Sequence, residues 1–352
     1  MTTEIEVAIV GCGRISDLHA RAYLDHPRAR LSAICDPDPD VLAARGEAWG
    51  VPADRRFTAL AELLAVRDLD LVDVCVPHHL HEEVALAVIA SGRHLSLQKP
   101  MALTLESADR IVTAAEDAGV VLKVFENWVF HEPVQRAKQV IEAGEIGDVL
   151  AVRMKSHSGF SPTMWPVPAA TQEWRLDPDR CGGGPLVFDD GHHKFATAWY
   201  LAGPAQRVYA DVGAWQGSAI DSPSVVTWRH GSDCIGILEV VYAPQTLVTT
   251  RYYAQDDPVE VTGTAGTLWI RGGHGRLLDA PALSVYRDGR VVDHHGLQTD
   301  WGMSFRASGM AFVDVLLDGG TPCLTGREGR EVLAFALAAQ ESARRGRPVD
   351  PL

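Results

Sequence analysis

Apolar positions along this chain follow two rhythms. Up to about residue 125, short apolar runs alternate with amphipathic stretches. The runs at residues 7–10, 31–35, 71–76, 93–97 and 120–125 have strand length, and the first four stop at Gly11, Asp36, Pro77 and Gln98-Lys99-Pro100. An amphipathic segment follows Gly11-Cys12-Gly13 at once, and residues 38–50 read as a helix closed by Gly50-Val51-Pro52. Thr58 is a candidate cap for a helix carrying Leu60, Leu63 and Leu64, and residues 78–91 form another. Thr104 caps a further helix with Leu105, Ala108, Ile111 and Ala115 on one face. Strands alternating with helices through short loops predict an α/β, doubly wound parallel sheet.

From residue 126 the rhythm changes. A helix with Val134, Ala137 and Ile141 leads into a strand at 149–156, then an irregular Gly/Pro/Trp-rich stretch at 159–184. A helix over 191–201 follows, and after it strand-like segments continue to about residue 292. Residues 259–262 and 267–270 flank the turn Gly263-Thr264-Ala265-Gly266. Two helices close the chain, the second with Val332, Phe335, Ala336 and Ala339 on one face. Consecutive strands without intervening helices predict an α+β domain with a large, mostly antiparallel sheet, open on one face. The expected domains are therefore 1–125 and 126–352. An open sheet needs a cover, and a symmetric partner is the usual one.

Composition narrows the function classes. A chain of 352 residues suits two domains with a core each. A net charge of −14 argues against nucleic acid or an anionic membrane as partner, since both attract basic surfaces. The six cysteines include no C-x-x-C pair and read as reduced thiols of a cytoplasmic protein. Neither a leader nor a membrane-spanning apolar run is expected. Only 5 of the 32 basic residues are Lys, and there is one Asn, so Lys99 and Asn127 stand out.

The first strand's Gly-x-Gly turn, running into a helix, is how a chain presents backbone N–H groups to a phosphate. Gly11 permits the turn, Gly13 lets a pyrophosphate approach, and Ser16 takes the third small position; Arg14 and Ile15 belong to the same turn. Asp36, at the next strand's end, suits two ribose hydroxyls and repels a 2′-phosphate, which predicts NAD. Arg14, able to meet that phosphate, is the opposing hint for NADP. In a parallel sheet the strand ends converge, bringing Gly11, Asp36, Pro77, Lys99 and Asn127 to one crevice. Asp189 and His193 lie one turn apart at a helix opening, where a carboxylate can orient an imidazole. Hydride removal from a carbinol needs a base for the hydroxyl proton and a cation for the oxygen, roles that suit His193 and Lys99. Phe160, Trp165, Trp174 and Arg175 offer a wall for a sugar, or ordinary core packing. His78, His79, His81, His192 and His193 show no zinc spacing, so no metal is expected.

The series Gly-Cys-Gly-Arg-Ile-Ser-x-x-His, Asp36, Pro77-x-x-x-His81, Lys99-Pro100, Gly182-Gly183-Gly184 and Asp189-x-Gly191-x-His193 resembles the Gfo/Idh/MocA family. These are relatives of glucose–fructose oxidoreductase and inositol dehydrogenase, and the likeness spans essentially the whole chain. It implies a Rossmann domain holding a nicotinamide cofactor, a sugar or polyol substrate, and homodimers or homotetramers built on the open sheet. It implies Lys99, Asp189 and His193 as catalytic residues, and His81, Gln98 and Asn127 beside the cofactor. Substrate contacts would come from Lys99, Asn127, Trp174, Arg175, Asp189 and His193. Three departures stand out. Gln98 replaces the usual Glu, which predicts easier proton loss from Lys99; Ala196 replaces a frequent carboxylate; and one extra residue separates the glycine triplet from Asp189. The resulting reading is an NAD(H)-dependent oxidoreductase of sugars or polyols. Its alternatives are an NAD-dependent glycosidase working by transient oxidation and a nucleotide-sensing regulator.

Overall fold

The computed structural model describes residues 4–231 and 233–351, which divide into two compact units. Unit 1 runs to Asn127 and includes Gly302–Arg330; unit 2 comprises Trp128–Trp301 and the chain from Glu331 onward.

Unit 1 is built on six parallel strands: β1 (Ile5–Val10), β2 (Ala29–Cys35), β3 (Arg56–Phe57), β4 (Leu71–Val74), β5 (His94–Gln98) and β6 (Leu122–Phe125). Their order is β3-β2-β1-β4-β5-β6. The order reverses beside β1, which has β2 on one side and β4 on the other. That reversal opens a crevice at the strands' carboxyl ends. Helices α1 (Ser16–Asp25), α2 (Pro39–Trp49), α3 (Leu60–Leu64), α4 (His81–Ala90) and α5 (Leu105–Ala118) connect the strands. The side chain of Asp38 caps α2 by accepting from Asp40 N and Val41 N, and Gly50 ends it at φ 70°. Thr104 Oγ1 accepts from Ser107 N at 3.1 Å and caps α5 as expected. Thr58 does not cap α3: Ala59 is the extended residue before the helix, so Thr58 stands one position too early. The helix expected at 78–91 opens instead as a 3-10 turn, His78–Leu80.

Unit 2 begins with α6 (Glu132–Glu142) and is dominated by a nine-stranded sheet. Its strands are β7 (Val149–Phe160), β8 (Ala205–Val212), β9 (Ser224–His230), β10 (Ile235–Leu247), β12 (Gln255–Asp256), β13 (Val259–Gly263), β14 (Gly266–Ile270), β16 (Leu283–Arg287) and β17 (Arg290–His294). The two-residue strands β11 (Thr249–Thr250) and β15 (Gly275–Arg276) pair with each other. The large sheet runs β17-β16-β14-β13-β7-β10-β9-β8, with β12 also on β7. Its β7–β10 pair is parallel and the others are antiparallel, so the sheet is mixed but mostly antiparallel. Period-2 alternation buries Val152, Met154, Leu238 and Val240 on one face. The opposite face carries Arg153, Lys155, Glu239 and Glu260 with exposed Tyr209 and Ile235. The stretch expected to be irregular contains α7 (Ala169–Arg175) and α8 (Pro178–Cys181) before α9 (Gly191–Ala202).

The closing helices are α10 (Trp301–Asp318) and α11 (Gly326–Arg345). Here the expected division at residue 125 needs correction, because α10 from Gly302 belongs to unit 1. Phe312 and Val313 join the core formed by Val7, Ile9, Ala22, Tyr23 and Ile34. Arg306 pairs with Asp25 at 2.6 Å, and Val124 N donates to Leu324 O at 2.9 Å along the edge of β6. The returning segment thus covers apolar surface and a strand edge that the first 127 residues leave open.

Candidate active site

The nucleotide crevice of unit 1 starts at the turn after β1. Gly11 has φ +88°, and a Cβ there would lie 2.6 Å from Cys75 O, so no other residue fits. Gly13 is exposed, and a Cβ there would meet nothing within 4 Å, which leaves space beside the backbone for a phosphate. Ile15 occupies the N-cap of α1 and supplies no side-chain cap hydrogen bond. The Ser16 hydroxyl donates to Gly13 O and braces the turn. Asp36 accepts from Cys12 N at 2.8 Å and from Asp38 N at 3.0 Å, which aims its carboxylate at the turn. Arg14 is half-buried. Gly11, Gly13, Ile15 and Asp36 therefore fit a dinucleotide's pyrophosphate and ribose.

The end of β5 is held from beneath by a chain of polar groups. Buried Asp73 Oδ2 lies 2.8 Å from His19 Nδ1 and accepts the Tyr23 hydroxyl at 2.8 Å. His19 Nε2 lies 3.0 Å from Gln98 Nε2, and Gln98 Oε1 accepts Lys99 N at 2.7 Å. One assignment satisfies every contact: Nδ1–H donates to Asp73, and the Gln98 amide donates to Nε2. Burial alone would raise the Asp73 carboxyl, but His19 and Tyr23 hold it below the ordinary range. Lys99 is buried at this strand end. Two expected cofactor residues are buried in the structure. His81 is wholly buried, with Nδ1 2.8 Å from Pro100 O and Nε2 3.0 Å from Val76 O. Burial lowers it to about 4, so the ring is neutral and its single N–H donates to one of these two carbonyls. Asn127 is also buried and donates from Nδ2 to Ser304 Oγ at 2.9 Å.

In unit 2 the glycine triplet leads into α9. A Cβ on Gly183 would collide with Gln340, and one on Gly184 with Asp221, so both glycines are packing requirements. Residues Pro185–Asp190 then form a π-helical turn in which Phe188 N and Asp189 N both point at Gly184 O, each at 3.2 Å. A π-helical turn holds more residues than an α-helical one. Leu186 N and Val187 N donate to the Asp221 carboxylate at 2.8 and 2.7 Å, capping the segment. Asp189 and His193 follow on successive turns, and both are buried. Asp189 Oδ2 lies 3.2 Å from Arg175 Nε, which brings two of the expected site residues together. Arg175 also donates to the Tyr253 hydroxyl at 3.4 Å and lies 5.2 Å from the Trp174 ring centre. Trp165 packs edge-on against Tyr252 and Tyr253.

Profile models of two domain families match this chain. Residues 5–126 match the oxidoreductase family, NAD-binding Rossmann fold, and residues 134–269 match the GFO/IDH/MocA C-terminal domain. The chain belongs to the Gfo/Idh/MocA family. It is thus an NAD(P)-dependent oxidoreductase with an NAD-binding Rossmann domain. Among its Gfo/Idh/MocA relatives is the D-apiose dehydrogenase of Paraburkholderia graminis, 30% identical over 97% of this chain and 88% of that protein. The myo-inositol 2-dehydrogenase of Thermotoga maritima is 26% identical over 98% of each chain. A solved oxidoreductase from Agrobacterium radiobacter, in complex with NAD+, L-tartaric acid and magnesium, superposes with a TM-score of 0.85 at 26% identity, covering 99% and 98% of the two chains. Among the described residues, no helix is long and apolar enough to cross a membrane.

Sequence reasoning missed a buried polar cluster next to His193. Lys194 Nζ bridges Asp190 at 2.9 Å and Asp257 at 2.8 Å. Gln255 Nε2 donates to Asp190 and Asp257 at 2.7 and 2.6 Å, and His274 Nδ1 lies 2.9 Å from Asp257 Oδ2. Burial opposes ionisation of Asp257, yet Lys194 and His274 hold its carboxyl well below the usual range. Trp128 is packed among these groups, 5.1 Å from Lys194 Nζ and 6.2 Å from the His193 ring. The rarity of Lys, applied to Lys99, would equally have flagged Lys194.

Proposed function

We propose that this enzyme transfers a hydride between NAD(H) and a ring carbinol or ketone of a sugar, polyol or sugar derivative. The observation that carries this reading is the opening of α9. It holds buried Asp189, paired with half-buried Arg175, and, one turn on, a buried imidazole beside the Trp128 ring. The nicotinamide supplies a hydride acceptor at its C4 when bound. His193 takes the proton from the carbinol hydroxyl, and the negative charge of Asp189 favours the imidazolium that forms. Lys99 binds the reacting oxygen and stabilises charge developing on it. Gly11, Gly13 and Asp36 hold the dinucleotide, and Asp36 favours NAD by repelling a 2′-phosphate. Trp174 and Arg175 contribute to the substrate wall. The D-apiose and myo-inositol dehydrogenases among the relatives support a polyhydroxylated substrate.

The test is purified protein with NAD+ or NADP+ and a panel including D-apiose, myo-inositol, aldoses and alkyl glycosides. Net reduction of NAD+ with formation of a keto product is expected. His193→Asn is expected to lower kcat by about 100-fold or more without weakening NADH binding. Silence of the wild type across the panel, with NADH binding intact, would sink the substrate reading. Free sugar released from a glycoside without net NADH would make the enzyme a redox glycosidase instead.

A homo-oligomer through the outer face of the large sheet is part of the same proposal. That face leaves Tyr209 and Ile235 at least 40% exposed.

A further inference from the structure

A buried imidazole that only braces a fold has both ring nitrogens engaged. His230 does, with Nδ1 2.8 Å from Gly203 O and Nε2 accepting the Trp228 indole N–H at 2.7 Å. His131 is the opposite case. Both its nitrogens are sealed without a partner, and burial pushes it down to about 4. His274 matches neither. Its Nδ1 is held by Asp257 Oδ2, while Nε2 has no hydrogen-bond partner among the described residues and is not sealed as the His131 nitrogens are. Its ring centre lies 6.3 Å from that of His193, with Tyr253 edge-on at 5.3 Å and Trp301 at 4.6 Å.

Asp257 decides what His274 can do. Its Oδ1 is taken by Lys194 and Gln255, so Oδ2 belongs to the imidazole. In the neutral tautomer that donates Nδ1–H to this carboxylate, Nε2 carries the lone pair and accepts. The carbinol oxygen carries a single proton, which goes to His193. A second acceptor at this separation therefore finds no donor on that oxygen and needs a different O–H. Hydroxyls on adjacent ring carbons are close enough to serve both imidazoles.

We propose that His274, oriented by Asp257, is a substrate-binding residue that accepts a hydrogen bond from the hydroxyl next to the carbinol being oxidised. The inference rests on the assignment of His193 as proton acceptor, and it narrows the substrate to vicinal diols. The Tyr253 and Trp301 rings beside it supply apolar surface for the sugar's CH groups.

The test compares wild type, His274→Asn, His274→Gln and His193→Asn with NAD+ on myo-inositol, D-apiose and D-glucose. Asn keeps an amide near Asp257 and offers nothing where Nε2 stood; Gln reaches that place with an acceptor. For His274→Asn we expect KM to rise about tenfold or more, with kcat within about threefold of wild type. Thermal stability and NADH affinity should stay unchanged, and His274→Gln should recover part of the loss. His193→Asn should lower kcat instead, which separates the two roles. A wild-type KM for His274→Asn on every substrate that the wild type turns over would overturn the inference and leave the function intact. So would a fall in kcat at unchanged KM. A wild type silent on all three, while still binding NADH, overturns the substrate reading and this inference with it.

Discussion

At the residue scale, burial decides which polar groups have a function to explain. The sequence marked Lys99 through its scarcity and position, and the structure buries it at the end of β5. It buries Lys123 as well, a residue with no sequence signal beyond the same scarcity. Lys123 Nζ donates to Ser308 O at 2.5 Å and Ser308 Oγ at 2.7 Å, and burial lowers it to about 7 against an ordinary 10.5. Between those values the unfolded chain binds more protons than the folded one, so stability rises with pH across the window. Relative to Lys123→Met, wild-type unfolding free energy should gain up to about 1.4 kcal/mol per pH unit between pH 7 and 10.5. Urea unfolding of both proteins at pH 7 and 9 measures this; a constant difference would mean the amine stays charged. Gln98 shows what a single departure can mean. Its amide polarity is read from its contacts, accepting from Lys99 N and donating to a His19 ring whose proton Asp73 holds on the far side. No spacing rule reveals that chain, because Asp73, His19 and Gln98 lie on three different elements.

At the element scale, breakers and caps were legible because they act locally. Gly11, Gly50 and Thr104 end or start elements where the sequence placed them. Thr58 failed because a cap works at one position only, and Ala59 holds it. The π turn at Pro185–Asp190 has no local sequence signature; what keeps it is Asp221, thirty-odd positions on, whose carboxylate satisfies two of its N–H groups. The turn after β1 gives a sharp prediction. Gly13→Ala meets no steric obstacle in the protein, so its thermal stability should match wild type. A methyl group in the pyrophosphate's path should nevertheless weaken NADH binding by about tenfold or more. Fluorescence titration reads the affinity, and unchanged affinity would place the dinucleotide elsewhere.

At the scale of the whole molecule, the open sheet face supports a prediction about assembly. Ile235→Asp puts a charge on that face at a position 41% exposed, where a monomer tolerates it. We expect a wild-type homo-oligomer in light scattering and a smaller species for the variant; a monomeric wild type would end the idea. Alternation of apolar runs and breakers was enough to determine the parallel sheet, the strand-rich second half and the glycine turn after the first strand. These depend on neighbours in sequence: period, caps and turn chemistry. Only the tertiary structure decided that α10 returns to unit 1, since an apolar helix face does not say which open core it will complete. Nor did the sequence reveal that Asp189 meets Arg175, or that Asp257 turns His274 into an acceptor. Such pairings come from side chains far apart in sequence, forced to satisfy one another because burial leaves a charge or a donor no water to turn to.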